Sequence, residues 1–203
     1  MKKLFLIFIT DLSLLLTGSL IILSSCHKTD NNDNDNSDTV VQGPLNPSFE
    51  SGNDINADNW GGTYICPGGC CAQATRSAMQ GPGFMPTSGT YYMSMQWNTY
   101  CDCAPYFYQD NVDLSTSTKL IFDWEYSGLT NTGCGGYTFY VLFSANGTDT
   151  LFHQTLSQAA VQKMNDTINL PSLPSSGRLL FTYGGSFGTF CQGTMGIDNI
   201  RVQ

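Results

Sequence analysis

Residues 120–128 read Leu120-Ile121-Phe122-Asp123-Trp124-Glu125-Tyr126-Ser127-Gly128. Leu120, Phe122, Trp124 and Tyr126 recur at period two on one face, and Ile121, Asp123 and Glu125 fall on the other. That is the pattern of a strand with one face against a core. Ser127-Gly128 then breaks it as a turn. The alternation recurs on both sides of this stretch. Tyr91 to Trp97 sets Tyr91, Met93, Met95 and Trp97 against Tyr92, Ser94 and Gln96. Tyr137 to Phe143 is apolar on both faces and reads as a central strand, and Arg178 to Tyr183 and Met195 to Val202 supply two more. Turn signals at Asn131 to Gly136, Asn146-Gly147, Pro171 to Gly177 and Gly184-Gly185 separate them. Only Leu156 to Met164 has the spacing of a short helix. Many short strands with Gly-rich turns and no internal repeat predict an all-β, antiparallel β-sandwich.

The N-terminus is of another kind. Lys2 and Lys3 precede a mostly apolar run from Leu4 to Ile22, interrupted by Asp11 and followed by Leu23-Ser24-Ser25-Cys26. This is the layout of a secretory signal, and it resembles a bacterial lipobox. The resemblance implies cleavage before Cys26 and lipidation of its thiol, so residues 1–25 are expected to be removed. Residues 26–43 are then expected to form a disordered tether, because His27 to Asp38 (HKTDNNDNDNSD) has no apolar side chain to bury. The acidic run after the cysteine resembles the signal that sends some lipoproteins of Gram-negative bacteria to the surface of the outer membrane. The alternative is a plain solvated spacer. The run lacks the Gly and the terminal Glu of an EF-hand loop. Residues 44–203 suit a single domain. The whole chain has 8 Lys+Arg and 16 Asp+Glu, a net charge of −8. So acidic a chain is not a nucleic-acid binder and has no basic face for anionic lipid, which leaves the membrane contact to the lipid.

Three motifs occur in order: Asn46-Pro47-Ser48-Phe49-Glu50 followed by Trp60, the strand quoted above, and Gly196-Ile197-Asp198-Asn199-Ile200-Arg201-Val202 at the close. The order resembles the MAM domain and the related bacterial cleaved-adhesin domains. The Asn-x-x-Phe-Glu opening and acidic last strand are also similar to carbohydrate-binding jelly rolls. The resemblance implies a jelly-roll topology and a binding rather than catalytic role, as an adhesin or capture module for carbohydrate or a cell-surface protein. It further implies a structural calcium shared by Glu50 and Asp198, with Asn53 or Asp54 adding an oxygen. The alternative is that both carboxylates are edge residues in water. This chain departs from the pattern at Asn199, where a second Asp is usual, and in lacking a cysteine beside Phe49-Glu50.

Beyond Cys26 there are seven cysteines, Cys66, Cys70, Cys71, Cys101, Cys103, Cys134 and Cys191. In an exported chain they are disulfide candidates, with at least one thiol left over. Their spacing does not match zinc knuckles. Past the tether the single histidine is His153, so no His pair or Ser/His/Asp triad is marked. Asp123 and Glu125 share a strand face, either as solvated carboxylates or as the acid and base of a polysaccharide hydrolase or lyase. The longer acidic strand motif of sandwich glycosidases is absent. Tyr100, Tyr106 and Tyr108 are the candidate ligand-binding residues, with Trp60 a candidate for the same surface. Tyr106-Phe107-Tyr108 cannot all point inward from a strand, so at least one is expected outside. Trp97 and Trp124 follow the apolar faces and are expected in the core.

Overall fold

The computed structural model describes residues 41–203 except 54, 63–72, 79–85, 99–103, 129–136, 146, 158 and 186–191. The strands are β1 (Val41–Gln42), β2 (Gly61–Gly62), β3 (Gln73–Ser77), β4 (Tyr92–Asn98), β5 (Tyr106–Asp113), β6 (Lys119–Tyr126), β7 (Tyr137–Ser144), β8 (Thr150–Leu156), β9 (Val161–Asn169), β10 (Gly177–Gly185) and β11 (Gln192–Val202). One sheet runs β1-β5-β10-β7-β8, with β2 also on β5, and the other runs β3-β4-β11-β6-β9. Every pairing is antiparallel except β1 with β5. The result is the expected jelly-roll sandwich.

The alternating strands supply the core as their patterns require. From β6, Leu120, Phe122, Trp124 and Tyr126 are all buried, and Tyr137, Phe139, Val141 and Phe143 of β7 meet them from the other sheet. β7 lies between β10 and β8, the interior position that its apolar run predicts. At the centre, Phe107 of β5 and Phe181 of β10 stack with centroids 4.9 Å apart. Trp60 completes this cluster at 5.3 Å from Phe107 and 5.4 Å from Phe49.

Two expectations are corrected. Among the described residues there is no helix. Leu156 ends β8, and Val161 to Met164 open β9, where Val161 pairs with Tyr126 and Lys163 with Trp124. The helical spacing at 156–164 is too short to compete with this ladder. The folded domain also begins before residue 44: Val41 and Gln42 pair with Val112 and Asp113, so the end of the expected tether belongs to the sheet edge.

Candidate functional site

The opening motif is a turn built around Asn46. This residue takes a positive φ of 47°, and its side chain donates to the carbonyls of Ser51 and Asp58 while accepting from the Ser51 N–H. Asn is suited to both tasks, since its short amide bonds locally and tolerates the left-handed region. Phe49 also has a positive φ, 58°, although its ring is fully buried. This turns the carbonyls that follow toward Arg76 of β3. The guanidinium donates to the carbonyls of Phe49 (2.6 Å), Glu50 (2.6 Å) and Asn53 (3.0 Å). Its carbon lies 3.2 Å from the centroid of the Tyr91 ring.

Glu50 and Asp198 reach the same segment at different residues. Glu50 Oε1 accepts from the N–H groups of Thr90 and Tyr91. Gly89, at φ 77°, permits this approach, because a Cβ there would stand 2.4 Å from that oxygen. Asp198 Oδ2 accepts from the N–H groups of Thr87 (2.7 Å) and Ser88 (2.8 Å), and Oδ1 from Asn199. Asn53 Oδ1 accepts from Ile55 and Asn56. A calcium ion needs oxygen lone pairs turned toward it. Here backbone N–H groups are turned toward those side-chain oxygens, and the Arg76 guanidinium toward the neighbouring backbone carbonyls of Phe49, Glu50 and Asn53. The donors do not fit a cation shared by Glu50, Asn53 and Asp198. Asp54 lies outside the described residues.

Sequence alternation puts Asp123 beside Glu125 in water, but the structure separates them. Asp123 is 1% exposed. It faces Asp198 across the β6–β11 ladder and accepts from Thr87 Oγ1 (2.7 Å), Asn199 Nδ2 (3.0 Å) and the Asn165 N–H (2.6 Å). Asn165 and Asn199, both at positive φ, sit at the irregularities of β9 and β11 that open room for these bonds. Thr87 Oγ1 also lies 3.2 Å from Asp198 Oδ2. One hydroxyl proton thus serves two buried carboxylates. Burial pushes the Asp198 carboxyl up to about 6, against the bonds from Ser88, Thr87 and Asn199 that stabilise its charge. Glu125 is half-buried, accepts from Gln162 and is raised by desolvation. A buried, fully bonded Asp123 capped by Thr87 is not placed to exchange a proton with a polysaccharide.

The outer face of the six-stranded sheet has a different chemistry. Phe107 points into the core, and Tyr106 and Tyr108 point outward, with ring centroids 6.2 Å apart and stacked. Arg178 pairs with both oxygens of Asp110 and lies 3.9 Å over the Tyr108 ring. Its charge is thereby neutralised and one face of Tyr108 is covered. The register then sets Tyr106, Thr182, Tyr140 and His153 side by side across β5, β10, β7 and β8. Tyr106 and Tyr140 are half-exposed and His153 exposed, while Thr182 is 6% and the neighbouring Leu180 8% exposed. The short side chains lie low between taller rings. Tyr140 and His153, with centroids 6.4 Å apart, escape a sequence reading that takes β7 as apolar on both faces. Their signal is the period: Phe139 and Val141 point in, so Tyr140 points out.

Trp60, expected at this surface, is instead buried, its Nε1 donating to the carbonyls of Leu45 and Asn46. An indole in the core needs such acceptors, and the opening turn supplies them. Trp124 is in the core as expected. Cys26, the signal segment, Tyr100, the Trp97 side chain and the seven other cysteines lie outside the described residues.

No family model matches the chain, and no curated protein matches it. Solved structures do. The chain is similar to the K2 cleaved adhesin domain of Lys-gingipain, with a TM-score of 0.51 and 17% identity over 77% of this chain and 96% of that one. It is also similar to the K1 domain of Lys-gingipain from Porphyromonas gingivalis W83, with a TM-score of 0.46 and 18% identity over 77% and 95%. A third is a non-crystalline cellulose specific carbohydrate-binding module, CBM28, with a TM-score of 0.47 and 16% identity over 81% and 99%. At these identities the likeness is one of fold.

Proposed function

We propose that the domain is a non-catalytic glycan-binding module and that it binds on the outer face of the six-stranded sheet. The observation that carries this reading is the row Tyr106–Thr182–Tyr140–His153. Neighbouring strands are about 4.8 Å apart, so Tyr106 and Tyr140 stand roughly 9–10 Å apart, a spacing suited to two rings of one oligosaccharide. Thr182 leaves a low floor between them, continued along β10 by Leu180. Aromatic faces stack on the C–H faces of sugars, and His153 and the tyrosine hydroxyls offer hydrogen bonds at the ends. With Arg178 held by Asp110, the face favours a neutral chain over an anionic one. Affinity electrophoresis in neutral polysaccharides, following a glycan array, tests this. Tyr140→Ala and Tyr106→Ala should each weaken retention about tenfold, the loss of roughly 1.4 kcal/mol, with melting temperatures unchanged. Retention equal to wild type in both variants, or an array without a hit, would overturn it.

In the same reading the module is displayed on the outer membrane by lipid on Cys26, with 27–40 as its spacer and disulfides among the clustered cysteines. The support is the Leu23-Ser24-Ser25-Cys26 signal and the acidic run after it. Cys26→Ser should leave unprocessed precursor with no incorporated lipid label. Labelling at the wild-type level would dismiss the anchor.

A further inference from the structure

We propose that Arg76 is a built-in cation that takes the place of a structural metal, so that the junction of the opening turn with the sheet is independent of calcium. The carbonyls of Phe49, Glu50 and Asn53 turn toward one cationic group, the guanidinium, and each accepts from a different one of its nitrogens. Arg76 is 6% exposed. A charge so far from water persists only where fixed dipoles replace its hydration. Three carbonyls and the Tyr91 ring face, 3.2 Å from the guanidinium carbon, provide that replacement. The positive φ of Phe49 is held by the same contacts, since its carbonyl accepts from Arg76 Nε and its ring is locked in the core.

A divalent ion at these carbonyls would face a fixed positive charge and N–H donors already bound to Glu50 Oε1. The two arrangements exclude each other, and the residues present make the first. A guanidinium stays charged throughout the physiological range. The tie among the opening turn, β3 and Tyr91 just before β4 is therefore independent of the calcium level around the protein.

Thermal melts of the full chain in detergent test this, with excess chelator and with millimolar calcium. The wild-type melting temperature should differ by no more than about 1 °C between the two. Arg76→Met, which keeps the length and removes the charge, should melt roughly 6–12 °C lower, the expected loss of several charged hydrogen bonds in a domain of this size. Arg76→Lys should fall between them, because one ammonium cannot reproduce the fork. If Arg76→Met does not fold, Arg76→Lys and the wild-type calcium comparison decide. A rise above about 3 °C in wild type on adding calcium, or an Arg76→Lys variant that melts with the wild type, would overturn the proposal.

Discussion

Phe181→Ala should remove about 3–5 kcal/mol of stability, the range for truncating a large aromatic side chain in a core. Phe181 is fully buried in β10, the strand between β5 and β7. It stacks on Phe107 at 4.9 Å and 7°, meets Phe122 of the opposite sheet edge-on at 5.7 Å, and has Trp60 at 6.3 Å and Phe139 at 6.5 Å. The loss combines the transfer free energy of the ring with the cavity it leaves. Collapse into that cavity is hindered, because Trp60 is pinned by its bonds to Leu45 and Asn46. Total stabilities are about 5–15 kcal/mol, so one ring change removes a large share. Urea denaturation followed by tryptophan fluorescence gives the number. Phe152→Ala is the control: Phe152 is only half-buried on the edge strand β8 and should lose less than half as much. A Phe181→Ala loss below about 1 kcal/mol is incompatible with the packing described.

The sandwich is legible in the sequence because period two is a local property. Leu120, Phe122, Trp124 and Tyr126 declare their burial without knowledge of their partners, and Phe107 between two tyrosines declares the outward pair. What is not legible depends on contacts made across the chain. Asp123 reads as solvated because nothing nearby in sequence covers it, yet Thr87, 36 residues away, closes over it. Trp60 reads as a surface aromatic because its acceptors, the carbonyls of Leu45 and Asn46, exist only once the opening turn folds. The opening Phe49-Glu50 and closing Ile197-Asp198 do converge on one segment, Thr87 to Tyr91. Backbone donors and Arg76 are what meet them, and no spacing rule links residue 76 to residues 49, 50 and 53. The outward row of the six-stranded sheet is half-legible: Tyr106 follows from β5 alone, but Tyr140 and His153 join it only through the β10–β7–β8 register.

That long-range burial of Asp198 sets the expected pH response of the fold. Its carboxyl is raised by desolvation to about 6, against an unfolded value of 3.8. The native state therefore holds this proton more tightly than the unfolded chain does. Between those two values the native state binds more protons, so the contribution to stability is full below about pH 4 and is lost as pH rises through 6. The whole difference corresponds to about 3 kcal/mol, part of it below pH 4. The cause is burial, which desolvates the carboxylate; the bonds from Ser88, Thr87 and Asn199 offset only part of that cost. Asp198→Asn removes the titration and leaves the shape. The stability of Asp198→Asn minus that of wild type should thus climb by about 2 kcal/mol between pH 4 and pH 7, whatever its sign at either end. The difference matters more than the absolute curve, since other carboxylates also titrate; Asp113, lowered by its bonds to Ser115, works in the opposite direction. Urea midpoints of both proteins at half-unit steps of pH supply the measurement. Parallel curves would mean that the Thr87, Ser88 and Asn199 donors fully replace the lost water, and that the Asp198 charge is carried in the core without penalty.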